Sequence, residues 1–252
     1  MYRYIALLLG AAALLGGIDA SAQSYPSRPV KFVVPFPPGP ADMFVRLYAQ
    51  KLTEQLGQPF VIENRPGATG TIGAAVVAKA PADGYTLLGT VDLPVVKAPN
   101  LVKIPYDPVK DLVPIAMIGE DFNMLAVHPA TGFRTPAALA PHIQAGKVTP
   151  LGITSLTPSP LIPGMTPLAG TWPGFELTNW YGFLAPAGTP EPVITVLRQA
   201  LRKVFDDEDV KQRLTASNIQ PKWTEGPAAA TRVSGDLAKW GKVIRDANIK
   251  AD

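Results

Sequence analysis

The chain has 252 residues, a formal net charge of +3 at pH 7, no cysteine and 47% hydrophobic residues. Such a length buries a substantial core in one or two domains, while the lack of cysteine excludes disulfides and thiolate metal sites. The positive charge is small and scattered without a basic run, which argues against nucleic acid as a partner.

The first residues read as a targeting segment. Arg3 supplies a short positive region, Ile5 to Ile18 is almost purely apolar, and Ala20-Ser21-Ala22 offers small residues at a cleavage site. That is the pattern of a signal peptide over residues 1–22, and it places the mature protein outside the cytoplasm. A membrane anchor is the competing reading, though the apolar run is short for a span. From Val30 the pattern alternates strand and helix. Val30 to Val34 is a β-branched run that suits a buried strand. Ala41 to Leu56 carries Phe44, Leu47, Leu52 and Leu56 as a helical stripe, with Gly57 placed as a C-cap. Phe60 to Glu63 is the next strand, Asn64 to Gly70 a turn-rich loop, and Thr71 to Lys79 a helix of small residues. Tyr85 to Gly89 is a third strand. This alternation predicts an α/β protein with a parallel sheet.

The middle is less regular. Ile115 to Ile118, Leu125 to His128, Leu151 to Ser155 and Trp180 to Leu184 are strand-like, and Pro136 to Ala145 is a short helix closed by Gly146. Leu156 to Gly174 is rich in proline and glycine. Three helices end the chain: Pro192 to Phe205, Glu208 to Ala216 and Ala228 to Ala247. Pro192 fits a helix start, where its missing N–H costs little. The 28 prolines cluster between apolar runs and read as rigid loops, not as disorder.

Little here supports catalysis. The two histidines, His128 and His142, have no neighbours that suggest a metal site or a triad. Asp206-Asp207-Glu208-Asp209 lacks the spacing of an EF-hand loop and fits a helix junction. No catalytic group, metal or cofactor is expected. The informative segments are two loops that follow strands, Pro35 to Asp42 and Asn64 to Gly73. In an open parallel sheet, ligands bind beyond the carboxyl ends of strands, and helix N-termini there suit anions. Glycines at 67, 70 and 73 match neither the Walker nor the dinucleotide spacing. Taken alone the glycine spacing is a weak signal, and a purely structural turn is the better reading of it.

Larger stretches carry a resemblance. They are Pro35-Phe36-Pro37-Pro38-Gly39, Glu63-Asn64-Arg65-Pro66-Gly67-Ala68 with Gly70 and Gly73, Asp83-Gly84-Tyr85-Thr86-Leu87-Leu88, and Pro105-Tyr106-Asp107-Pro108-Val109-Lys110-Asp111. Ile143-Gln144-Ala145-Gly146-Lys147 and the run from Trp180 to Pro190 complete the set. In this order they resemble the substrate-binding receptors of tripartite tricarboxylate transporters, the Bug family. The resemblance implies a periplasmic-binding-protein-like fold of two α/β domains that close on a small carboxylate. It also implies delivery of that ligand to a membrane permease. On this basis domain one comprises residues 24–120 with 187–252, a shortened domain two comprises 121–186, and the protein is a periplasmic monomer. The resemblance assigns ligand contacts to Phe36, Gly39, Asp42, Gly67, Ala68, Thr69, Gly70 and Thr71, with Thr90 as a further candidate. Asp42 would orient its loop or a bridging water, since an anion in direct contact would repel a carboxylate. Arg65 reads as a brace for the loop more than as an anion clamp.

The chain departs from the family pattern at two places. The first loop runs Gly39-Pro40-Ala41-Asp42, one residue short and with Ala in place of a hydroxyl. Between Ala138 and Pro141 a long segment of domain two is missing. The expected consequence is weakened binding. The alternative is a remnant of the family that binds weakly or not at all.

Overall fold

The computed structural model describes residues 25–125 and 152–250. The signal peptide expected over residues 1–22, the strand expected to end at His128, the helix expected at Pro136–Ala145, His142 and the Ala138–Pro141 junction lie outside the described residues.

A six-stranded sheet forms the centre. Its strands are β1 (Val30–Val34), β2 (Phe60–Asn64), β3 (Thr86–Val91), β4 (Leu112–Phe122), β7 (Thr178–Pro186) and β8 (Gln220–Glu225). Their spatial order is β2-β1-β3-β7-β4-β8. Two short strands, β5 (Met124–Leu125) and β6 (Gly152–Ile153), pair separately just beyond the end of β4.

The helices are α1 (Pro40–Leu56), α2 (Thr71–Ala78), α3 (Glu191–Asp206), α4 (Glu208–Ala216) and α5 (Gly226–Asp246). They cover both faces of the sheet. On one face Phe44, Tyr48 and Leu52 of α1 and Leu197, Leu201 and Val204 of α3 pack on Phe32, Ile115 and Phe183. On the other, Ala74 and Val77 of α2 and Ala229 and Val233 of α5 pack on Val33, Leu88, Trp180 and Leu184. Burial of Val30, Phe32, Val33 and Val34, which reaches both faces, explains why β1 is apolar apart from the exposed Lys31 and does not alternate. Helix α1 starts on Pro40 and ends on Gly57, whose φ of 70° is left-handed and whose N–H caps Thr53 O.

Three expectations are corrected. The sheet is mixed: β1 is parallel to β2 and β3, but β7 is antiparallel to β3 and β4, and β8 is antiparallel to β4. Alternation of strand and helix could not reveal this, because β7 enters between β3 and β4 from far along the chain. Second, Thr178–Pro186 belongs to the large sheet and not to the segment 121–186. The chain therefore returns to the large sheet at Thr178, ahead of the boundary expected between residues 186 and 187. Third, β8 was not anticipated. It is an edge strand with a proline and a lysine, Pro221 and Lys222, as edges that resist further pairing often are.

β4 and β7 lie unusually close. A Cβ on Gly182 would stand 2.7 Å from Ala116 O, and the β4 register shifts near this point, between Pro114 and Ala116 and between Met117 and Gly119. Phe183, beside Gly182, has its ring 5.0 to 5.7 Å from those of Phe32, Phe44 and Tyr48. It joins β1 and α1 to the late strand. Phe183→Ala should therefore cost about 3–5 kcal/mol in urea denaturation. Phe175→Ala, at a ring 43% exposed, should cost about 1 kcal/mol or less.

Candidate functional site

The carboxyl ends of β1, β2 and β3 open on the same edge, because the three strands are parallel. Three turns meet there: Pro35–Gly39 before α1, Arg65–Gly70 before α2, and the turn Leu93–Lys97 after β3. Both helix starts carry N–H groups with no intrahelical partner. Gly39 O takes the N–H of Asp42 and of Met43, and Pro40 has none to give, so Ala41 N–H is left. In the second loop Gly70 N–H goes to Gly67 O and Thr71 N–H to Ala68 O. The N–H groups of Ala68 and Thr69 have no partner among the described residues. Two helix N-termini, with their partial positive charge, thus flank one edge.

The second loop is held in a rare conformation. Gly67, Ala68, Thr69 and Gly70 all have positive φ, at 127°, 46°, 54° and 88°. A side-chain-bearing residue in the left-handed region costs roughly 1–2 kcal/mol. Ala68 O offsets part of that cost by accepting from the hydroxyls of Thr69 at 2.6 Å and Thr71 at 2.8 Å. Backbone strain of this kind concentrates at ligand sites. The loop is also packed from below: a Cβ on Gly70 would lie 3.3 Å from Phe36 Cζ and from Pro94 Cβ.

A buried polar brace joins the two loops. Asp42 is 3% exposed. Its Oδ1 accepts from Asn64 Nδ2 at 2.7 Å and Arg46 at 3.1 Å, and its Oδ2 from Arg46 Nε. The same Asn64 amide donates to Phe36 O at 2.9 Å, and its Oδ1 accepts from Arg46. The end of β2 therefore grips the first loop through one side chain. Arg65 pairs with Glu63, which also pairs with Lys31 at 2.5 Å. Lys31, and then Arg65, hold the Glu63 carboxyl below its ordinary range. Arg65 is spent on this pair at the rim.

The structure sorts the sequence-level candidates into three groups. Gly39, Gly67, Ala68 and Thr69 are exposed at the open edge, and Phe36 is half-buried beside them. Gly70 and Thr71 are buried immediately beneath. Asp42 and Thr90 stand behind this surface: Asp42 is committed to the brace, and Thr90 is 0% exposed with its hydroxyl turned to Val91 O. Sequence reasoning missed Ala41, whose contribution is a backbone N–H, and Asn64, whose role as a brace depends on a partner 22 residues away. It missed as well a charged chain at the adjacent strand ends. Lys97 lies 2.8 Å from the buried Asp92 and bonds Asn179, which bonds Asp121. A groove of about 360 Å³ between α1 and α4 adjoins the first loop through Met43 and Arg46. Its cations are already paired, Arg46 with Asp42 and Arg213 with Asp209, so the two loops offer the better anion site.

The loop strain generates a test. Ala68→Gly should raise stability by about 0.5–1 kcal/mol in thermal denaturation, because glycine adopts positive φ without a Cβ clash. Asn64→Ala, which cuts the brace, should lower it by about 1–3 kcal/mol.

Comparisons with known proteins follow this geometry. The family model described as "Tripartite tricarboxylate transporter family receptor" matches residues 44–136 and 122–249. Protein BugT of Bordetella pertussis is 28% identical over 325 residues, covering 99% of each chain. Among solved structures, an R. palustris protein with adipate has a TM-score of 0.75 at 26% identity, covering 90% of this chain and 99% of its own. MatC from Rhodopseudomonas palustris with bound malate has a TM-score of 0.70 at 27% identity, covering 87% and 100%. The BugT alignment spans 325 positions and this chain has 252 residues. The difference, 325 less 252, leaves at least 73 positions without a counterpart here, and since both ends align they are internal. The two matched stretches overlap at 122–136, close to the Ala138–Pro141 junction.

Proposed function

Because the chain belongs to the tripartite tricarboxylate transporter receptor family, whose members are solute-binding proteins, we propose that it is a periplasmic receptor for a small carboxylate. Its fold is the α/β fold of periplasmic binding proteins, shortened relative to them. The observation that carries the reading is the convergence of unpartnered backbone donors at two helix starts, Ala41 on one side and Ala68 and Thr69 on the other. Backbone N–H groups and helix dipoles recognise a carboxylate without a charged side chain. Gly39, Gly67 and Gly70 keep the approach free of side chains, Phe36 supplies an apolar wall, Asp42 and Thr71 hold the loops in place, and Thr90 stands buried behind them. In this reading the protein is a monomer that hands its ligand to a membrane permease, and it performs no chemistry.

A second reading, a family remnant with weak or no binding, is favoured by the missing positions. A good pocket encloses 70–90% of a small ligand. A receptor that has lost much of one wall leaves part of its ligand in water, where charge–dipole contacts are worth far less.

Calorimetric titration with adipate and malate at neutral pH separates the two. The expected dissociation constants are about 10 μM to 1 mM, roughly −7 to −4 kcal/mol. Constants of about 1 μM or tighter would show that the shortened protein still encloses its ligand. No binding of either acid, nor of a wider carboxylate panel, would reject the receptor reading in favour of the remnant.

A further inference from the structure

At the site edge, a continuous path of packed and bonded groups runs from the strained loop to the point where β4 and β7 leave the large sheet. It begins at Gly70, which rests on Pro94. Pro94 is fixed by Tyr106, whose hydroxyl donates to Pro94 O at 2.6 Å. Pro94 opens the turn Leu93–Lys97, and the N–H groups of Val95 and Val96 anchor that turn on Asp92 O. At its far end Lys97 reaches across the strand ends. Its ammonium lies 2.8 Å from Asp92 Oδ2 and donates to Asn179 Oδ1. Asn179 donates to Asp121 Oδ1, and Tyr181 donates to Asp121 Oδ2 at 2.6 Å. Asp121 and Asn179 are cross-strand partners, one pair before the last, Phe122 with Thr178.

We propose that Lys97 is a positioning residue of the ligand site, tying the loop Gly67–Thr71 to the strand crossing at Asp121–Asn179. Through it the loop and the crossing change together, so a ligand held on the loop also fixes the direction in which the chain leaves the sheet. The proposal rests on reading the loop as the contact surface.

Beside the backbone bond from Asp92 N–H to Trp180 O at 3.0 Å, Lys97 supplies a side-chain bridge from the turn Leu93–Lys97 to Asn179 of β7. The side chain is 16% exposed and Asp92 is 2%, so the pair acts in a setting where charges interact strongly and an unpaired partner is costly. Yet the contact leaves Asp92 Oδ2 without a well-aligned hydrogen bond. At 2.8 Å the two charges attract each other strongly whatever the hydrogen-bond angle. Burial pushes the Asp92 carboxyl up to about 6, against the pull of Lys97 and with help from Asp236 and Asp121. The groups around Asp92 are Lys97 on its own turn, Asp121 and Tyr181 on β4 and β7, and Asp236 on α5 with its partner Arg232. A raised carboxyl favours the folded state below its unfolded value near 3.8, and that contribution is lost as pH rises through about 6.

Amide hydrogen exchange on the ligand-free chain tests the coupling. It needs no ligand, so its outcome is independent of whether adipate or malate binds. Lys97→Met should speed exchange about tenfold at Asn179–Tyr181 and also at Gly67–Thr71, with β1 and β2 unchanged; the size follows from losing a charged hydrogen bond. Lys97→Arg, which keeps the charge, should restore protection at both places. In the wild type, protection of Gly67–Thr71, corrected for intrinsic rates, should fall as pH rises from 4 to 8, with a midpoint near 6. Asp92→Asn should remove that dependence. This wild-type pH profile also serves if Lys97→Met fails to fold. Loss of protection confined to Asn179–Tyr181, or a loop profile flat with pH in the wild type, would overturn the proposal.

Discussion

The insertion of β7 between β3 and β4 is the constraint on which the rest of the structure depends. It joins residues 86–91 to 178–186 and 112–122 in one sheet. Phe183 then fills the space against Phe32, Phe44 and Tyr48, and the chain leaves β7 in position for α3 to cover the same face. Long-range pairing of this kind costs loop-closure entropy before it returns any contact energy. The close β4–β7 approach at Gly182 and the buried rings of this region supply the compensating contacts.

The same insertion bounds the edge on which the proposed site lies. With β7 antiparallel to β3, the parallel half of the sheet ends where β7 begins. The carboxyl ends of β1, β2 and β3 therefore form a bounded edge, closed on one side by the top of β7 and β4. At that edge the protein uses two kinds of order. Buried side-chain bonds through Asp42 and Asn64 fix the first loop to β2. The second loop is fixed by backbone strain and by the hydroxyls that converge on Ala68 O. Both arrangements fix the two loops in place, and a binding loop held in this way would lose little entropy when a ligand binds.

The six-stranded sheet and both helical layers are intact among the described residues, while β5 and β6 are two residues each. Large apolar side chains are exposed in this region, with Trp172 at 54% and Leu156 at 51%. A framework with its core complete on both faces tolerates loss from an insertion at its edge, because few core contacts cross into the insertion.

The sequence by itself determined the local elements and the loops. The β-branched run of Val30–Val34, the α1 stripe with Gly57 at its end, and Pro192 at the start of α3 each obey rules that act over a few residues. The motifs from Pro35 to Gly73 were legible for the same reason: glycine and proline restrict φ locally. Only the tertiary structure decided the antiparallel half of the sheet, the place of β7, and the edge strand β8. These depend on which strands meet, and Gln220–Glu225 carries no alternation that would betray its partner. Tertiary structure alone also decided the roles within the site. Asp42, read from the sequence as orienting its loop, is buried in the bonds to Asn64 and Arg46, and Thr90, a further candidate contact, is fully buried. Lys97, Asn179 and Asp121 lie far apart along the chain and become one chain of bonds only where β3, β7 and β4 end side by side. Periodicity and turn chemistry report what a residue's neighbours in sequence require; pairing across a sheet is set by burial and close packing between distant segments, which no short window contains.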